Sequence, residues 1–298
     1  MIRKVKYQDI DFIKYEKCLD NAVQNSDYAR KEFLDVVTDQ HWELLVFEDY
    51  EAVMPISYVM KLGFKIVLMP KLCQQLGIFS TENSTELNDS FLKYFQKNYK
   101  IIFYAFNKNN QFSEQLPQKT SFELSKNDYD TVKKNYSVHR RRNVRIIGDL
   151  VGTLDFDSSF KGDERAFFCA NAKGTMKDDD LDCFFDLMEN LAKKNLGQKL
   201  VMRWKNEIQS LVFLYQTKEN SYLSLFVNDS NLSNKNLPSI MIDHCLQEYI
   251  ADRNFDFMGS EVKNVADFNA RFGADSYKYS IILQSKLSLL KNLLKTSF

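Results

Sequence analysis

Residues 199–283 set strand-like and helix-like segments in an order that few folds accommodate. "KLVMRWKNEIQSLVFLYQT" (199–217) reads as a hairpin turning at Lys205–Glu207, and "SYLSLFVND" (221–229) as a further strand. After a polar loop, "PSIMIDHCLQEYIADRN" (238–254) reads as a helix, with Pro238 in the first turn, where a missing N–H costs nothing. "FDFMGS" (255–260) is a strand, "VADFNARFG" (265–273) a short helix and "YKYSIIL" (277–283) a closing strand. Two of the chain's nine glycines, Gly259 and Gly273, bracket the short helix. Gly259 suits a sharp turn at a strand end and Gly273 a helix C-cap. Val265, Phe268 and Phe272 share a helix face that packs on the sheet, so turns and core explain much of this stretch without any ligand.

The earlier sequence carries the same theme. Residues 9–24 place Ile10, Ile13, Cys18 and Val23 at loosely helical spacing. "WELLVFEDYEAVMPISYVM" (42–60) is a hairpin turning at Glu48–Glu51, "FKIVLMP" (64–70) a strand, "SFLKYFQKNY" (90–99) an amphipathic helix and "KIIFYAFN" (100–107) a strand. "SFELS" then leads into a long basic helix from Asp128 to about Ile146, and "VGTLDFD" (151–157) is a strand. Two helices follow; the second has an acidic first turn, "KDDDLD", and a lysine-rich last turn, which its own dipole explains. The polar, aperiodic "NKNNQFSEQLPQKTS" around Pro117 marks a boundary. The expected organisation is α/β (α+β): domain one over residues 1–120 and domain two over 121–298, each a mostly antiparallel mixed sheet flanked by helices.

Composition narrows the function classes. At 298 residues, two domains are favoured. Lys+Arg and Asp+Glu are both 40, so no whole-molecule field draws the chain to DNA or to an anionic surface. The five cysteines are widely spaced without a CxxC, and only three histidines occur, so neither a disulfide framework nor a metal centre is expected. The opening residues hold no apolar h-region and no run of about 18 apolar residues occurs, so a soluble cytoplasmic chain is expected. "QSKLSLLKNLLKTSF" (284–298) gathers Leu287, Leu290, Leu293 and Leu294 on one helix face. That face either packs back or touches a membrane surface or partner.

The order of elements in the second half resembles the GNAT-type N-acyltransferases. "FDFMGSEVKNVADFNARFGADSYKYSII" resembles the closing motif of the bacterial Fem-type peptidoglycan aminoacyltransferases and their FemAB-like relatives, with Phe257, Gly259, Ser260, Phe268, Phe272 and Gly273 at the matching positions. "DYEAVMPISYVMKLGFKIVLMPKLCQQLGIFS" resembles their first domain, and "YDTVKKNYSVHRRRNVRII" the basic helix that begins their second, so the resemblance covers most of the chain. It implies two tandem GNAT-like domains, the first possibly degenerate and helping to bind the acceptor. It also implies transfer of an acyl group, acetyl or aminoacyl, from a thioester or ester donor to an amine. Fem-type enzymes take the acyl group from aminoacyl-tRNA. The long charged helical hairpin that some of them carry is absent from this sequence, which favours acetyl-CoA or another acyl-CoA. The alternatives are an aminoacyl-tRNA-dependent enzyme acting on a cell-wall-type precursor and a non-catalytic GNAT-fold binding protein.

The resemblance also implies positions. The donor lies against strand backbone at Phe226, Val227 and Asn228. Its phosphates lie near Ser233, Asn234, Lys235 and Asn236, ahead of the helix N-terminus at Pro238. This loop lacks the Gly-rich pyrophosphate motif of ordinary acetyl-CoA users, and a solvated loop lysine is the plain alternative for Lys235. Candidates for base or oxyanion partner are Asp256, Glu261, Tyr279 and Tyr222. His139, Asp243 and His244 read more simply as ordinary helix residues. "HRRRNVR" (139–145) offers Arg140, Arg141, Arg142 and Arg145 either to phosphates or to its own helix end, and Gly259 and Ser260 stand as possible substrate contacts.

Overall fold

A computed structural model describes residues 1–61, 63–145, 153–172, 178–231, 236–259 and 262–284. The chain divides into two units, Met1–Lys119 with the residues from Lys278 onward, and Thr120–Tyr277. Residues 278–284, which the sequence places in the second domain, thus group with the first unit, because the end of the last strand finds its partner there.

In the first unit, β1 (Ile2–Lys6) is followed by α1 (Phe12–Asn21) and α2 (Lys31–Thr38), then β2 (Trp42–Phe47), β3 (Ala52–Lys61), β4 (Phe64–Val67) and β5 (Phe79–Ser80). Next come α3 (Thr85–Asn98), β6 (Lys100–Ile101) and β7 (Phe103–Ala105). The sheet order is β1-β2-β3-β4-β6 with β5 also on β3, antiparallel except where β4 meets β6. Helix starts follow capping chemistry. Asp11 accepts from the N–H groups of Ile13 and Lys14 at 3.1 Å, and Ser84 accepts from Leu87 at 3.2 Å. The Asp11 cap turns Tyr15, Cys18 and Leu19 inward, whereas Ile13 and Val23, expected on the buried face, are exposed. The expected strand over 100–107 is two short strands, because β6 continues the β4 edge while β7 takes a separate partner.

In the second unit, β8 (Gln118–Leu124) enters from the first unit and leads to α4 (Tyr129–Lys134) and α5 (Val138–Arg145). The long basic helix of the sequence reading is therefore two helices. Asp128 caps the first by accepting from Thr131 N–H at 3.0 Å, and Asn135–Ser137 interrupt before the second starts. Then follow β9 (Thr153–Asp157), α6 (Gly162–Asn171), α7 (Asp178–Lys193), β10 (Gly197–Trp204), β11 (Glu207–Gln216) and β12 (Asn220–Asn228). The chain closes with α8 (Leu237–Tyr249), β13 (Asn254–Asp256), α9 (Lys263–Ala270) and β14 (Asp275–Leu283), whose Ile281–Leu283 pair with β7 in the first unit. The β10–β11 hairpin turns through Lys205 and Asn206, both at positive φ, as a tight right-twisting hairpin requires.

The strand order of the second unit is β8-β13-β12-β11-β10-β9. Every pairing in it is antiparallel except β12 with β13, which α8 connects. α8 supplies Leu237, Met241, Ile242, Cys245 and Leu246 to the core beneath this sheet. Phe272 and Phe257 close the core from the C-terminal side, their rings 5.6 Å apart. Phe268 and Phe272 pack as expected, but Val265 is exposed.

Candidate active site

The parallel pairing of β12 with β13 is short. Asn220, Ser221 and Tyr222 face Asn254, Phe255 and Asp256, and there the ladder ends, while β12 continues to Asn228. A β-bulge lies just beyond: Leu223 faces Leu214 and Leu225 faces Phe213, leaving Ser224 as the extra residue. A bulge bends and over-twists its strand. β13 itself ends at Asp256 while β12, bent at the bulge, runs on to Asn228, so the ladder opens there as a fork with Tyr222 and Asp256 at its base. Phe226, Val227 and Asn228, the positions expected to meet a donor, lie on the limb that has left β13. The Val227 side chain is buried, so it offers only backbone, and the Asn228 side-chain oxygen accepts from Ser210 Oγ at 2.9 Å. Beyond the loop, α8 begins with no side-chain bond from its N-cap, Asn236.

Asp256 is the chemically distinctive residue at the fork base. Its Oδ1 accepts from the Ser121 hydroxyl at 3.1 Å and from the Met258 backbone N–H at 2.6 Å, and its Oδ2 accepts from the Tyr277 hydroxyl at 2.6 Å. Burial in the sheet raises its pKa from 3.8 to about 6, against the lowering effect of these donors. The same burial, with Asp256 beside it, drives the Tyr277 phenol well above its ordinary value. Gly259 completes the cluster by donating its N–H to Ser121 Oγ at 2.8 Å. A Cβ at Gly259 would come within 2.2 Å of the Thr120 carbonyl oxygen, so glycine is required by the close approach of two backbones. Such a cluster combines a carboxyl that exchanges its proton near neutral pH with a phenol hydroxyl held against it.

The structure sorts the remaining sequence candidates. Ser233, Asn234, Lys235, Ser260 and Glu261 lie outside the described residues, as does the leucine-rich 285–298 segment. Tyr279 belongs to the first unit, where it is buried in the wall of a cleft of about 450 Å³ beside Lys108, Gln115 and Lys278. Tyr277, two residues earlier on the same strand, is the tyrosine at Asp256. Tyr222 stacks on Tyr215 at 5.3 Å.

The basic cluster does not act as one surface. Arg140 is buried, its guanidinium 4.1 and 4.0 Å from the ring centres of Phe268 and Phe272, and it donates to Ser239 Oγ and, at 2.8 Å, to the Phe268 carbonyl. Desolvation lowers its pKa to about 10. Arg140 is thus a core residue rather than a phosphate contact. Arg141 donates to the Lys134 carbonyl at 2.7 Å, and Arg142 and Arg145 are exposed. Asp243 is buried and accepts from the Tyr129 hydroxyl at 3.0 Å, while His244 stacks on Phe156 at 5.3 Å and His139 is exposed. The sequence reading missed Ser121 and Tyr277. Tyr277 carried one usable signal, since strand alternation puts residues 277 and 279 on one face. Ser121 carried none, because its role depends on a strand neighbour 135 residues away. Among the described residues no group of His, Cys, Asp or Glu is arranged to hold a metal ion.

No protein-family model matches the sequence, and no curated protein matches it. Solved structures do match the fold along almost its whole length. FemX superposes with a TM-score of 0.62 at 12% identity, covering 97% of this chain and 99% of that one. The chain has the GNAT-type, FemAB-like fold. A tandem GNAT protein from the clavulanic acid biosynthesis pathway superposes at a TM-score of 0.57 with 7% identity, covering 94% of this chain and 97% of that one. L-PGS from Bacillus licheniformis does so at 0.51 with 12% identity, covering 95% and 94% respectively. In this fold the β12–β13 fork, the bulge at Ser224 and the start of α8 follow one another along the chain.

Proposed function

We propose that the chain is an N-acyltransferase that moves an acyl group from an acyl-CoA thioester to an amine, with the donor in the fork of the second unit. The observation that carries the reading is the early end of the β12–β13 ladder beside the buried Asp256. A strand edge released from pairing offers backbone N–H groups to the donor carbonyl, polarising it as an oxyanion site does. The α8 N-terminus favours the pyrophosphate, with Lys235 from the preceding loop as its cation. The amine nitrogen attacks the carbonyl carbon, the C–S bond breaks, and the CoA thiolate leaves. The amine proton passes to Asp256, which is mostly ionised at neutral pH and retains enough basicity to accept it. Tyr277 holds the carboxylate in place and stabilises its charge. Glu261 is the second candidate base.

An ester donor such as aminoacyl-tRNA is the second reading; the exposed Arg142 and Arg145 on α5 favour it, since they stand free for a phosphate backbone. Thermal unfolding separates the two. A ligand that binds only the folded chain at 100 times its Kd adds about 2.7 kcal/mol, enough to move Tm by several degrees. Acetyl-CoA at millimolar concentration is expected to give such a shift, and Lys235→Ala to abolish it. No shift with acetyl-CoA, together with tRNA binding lost in Arg142→Glu/Arg145→Glu, would replace the thioester donor by the ester. No response to either would leave a non-catalytic binding protein.

A further inference from the structure

The β3–β4 hairpin of the first unit projects beyond its sheet. β2 pairs with β3 only as far as Ser57, and β6 pairs with β4 only at Ile66 and Val67. Past those points the hairpin is a two-stranded ribbon, held by the pairs Met60–Lys65 and Lys61–Phe64. Its tip is apolar and open to solvent: Met60 is 54% exposed, Phe64 48% and Val59 37%. Strand alternation puts Val59 and Phe64 on one face and Met60 on the other. Each face of the tip thus sets exposed apolar side chains beside a lysine, Val59 and Phe64 with Lys61 and Met60 with Lys65, whereas a groove on a folded partner would cover one face.

Charge supplies the second observation. In a chain with equal numbers of basic and acidic residues, strands β1, β2, β3, β4 and β6 carry Arg3, Lys4, Lys6, Lys61, Lys65 and Lys100 against the single carboxylate of Glu43. Glu43 is itself buried and bridged to Lys4 and Lys65. Lys61 stands opposite Phe64 at the tip, and Lys100 lies with its ammonium 3.6 Å from the centre of the Phe64 ring. Apolar side chains at a protruding point, ringed by lysines on long stems, match the interface of an anionic bilayer. There the apolar groups enter the acyl boundary and the ammonium groups remain among the phosphates.

We infer that the β3–β4 tip, through Val59, Met60 and Phe64 with Lys61 and Lys100, docks this chain on an anionic lipid surface. The ribbon's inward backbone groups are already paired, so only its outer edges need the hydrated headgroup zone. The inference is independent of the acyl donor and of the reading of the second unit.

The test is co-sedimentation of the full chain with vesicles of phosphatidylcholine containing 30% phosphatidylglycerol, beside vesicles of phosphatidylcholine alone. Binding is expected to the anionic vesicles, weakening as salt is raised. Met60→Ser/Phe64→Ser is expected to lower the partition coefficient at least about tenfold, and Lys61→Glu/Lys100→Glu to abolish the preference for anionic lipid. These side chains are exposed or half-buried, and an unchanged Tm confirms that the variants fold. In a Phe64→Trp variant the added emission is expected to shift to the blue on anionic vesicles. Vesicle binding that the double serine variant leaves intact would overturn the inference. So would no binding at all, or a Met60/Phe64-dependent self-association in the absence of lipid.

Discussion

Asp256→Asn tests whether the fork base holds a carboxyl displaced by burial. In the folded chain this group titrates near 6 rather than 3.8, so between those values the folded state binds more protons than the unfolded one. Stability then falls as pH rises through the interval. At about 1.36 kcal/mol per pH unit, the span from 3.8 to about 6 amounts to a loss of roughly 3 kcal/mol, of which about 2 kcal/mol falls between pH 4 and pH 8. Asparagine cannot ionise, so its stability relative to the natural chain should improve by that amount over the same range, whatever constant cost the exchange carries. That constant cost is positive, because Met258, Tyr277 and Ser121 all donate to the carboxylate. The chain has two tryptophans, Trp42 in the first unit and Trp204 in the second. Urea unfolding followed by Trp204 emission in a Trp42→Phe background therefore reports the relevant unit. A difference between the two proteins that is flat from pH 4 to pH 8 within about 0.5 kcal/mol, or that slopes the other way, would refute the argument.

Gly259→Ala should destabilise the second unit by about 1–3 kcal/mol in the same assay, because the new methyl group must displace the Thr120 carbonyl from 2.2 Å. Lys199→Ala removes the ammonium that lies 2.9 Å from the buried Glu164. The largely buried Arg203 at 3.1 Å is the remaining close cation, and a loss of about 3–5 kcal/mol is expected, much of it recovered by adding Glu164→Gln. Arg140→Met keeps an apolar stem between Phe268 and Phe272 and should cost less than Arg140→Ala; a larger cost for methionine would show that the guanidinium bonds to Ser239 and Phe268 dominate. If Asp256 takes the amine proton, kcat/KM for acyl transfer should rise with pH through about 6 and level off above it, and Asp256→Asn should lose that limb.

The element order of the second half was legible because it rests on local rules. Period-two runs mark β10, β11 and β12, Pro238 opens α8, and Gly273 at φ +77 ends the stretch after α9. Legibility failed where a tertiary partner decides. Asp128 and the residues 135–137 split one basic run into α4 and α5, and Arg140 turned inward because two phenylalanines from the far end of the second unit receive it. Tyr279 and Tyr277 are indistinguishable in sequence, yet the division of β14 between the two units leaves only Tyr277 with Asp256.

Hydrophobic spacing, caps and glycines thus determined which stretches became strands and helices, since those choices depend on neighbours a few residues away. Only the tertiary structure decided where β12 and β13 part, that Asp256 is buried among Ser121 and Tyr277, and that the β3–β4 tip outruns its sheet. Each of these follows from which distant strand supplies, or withholds, the next hydrogen-bonding partner.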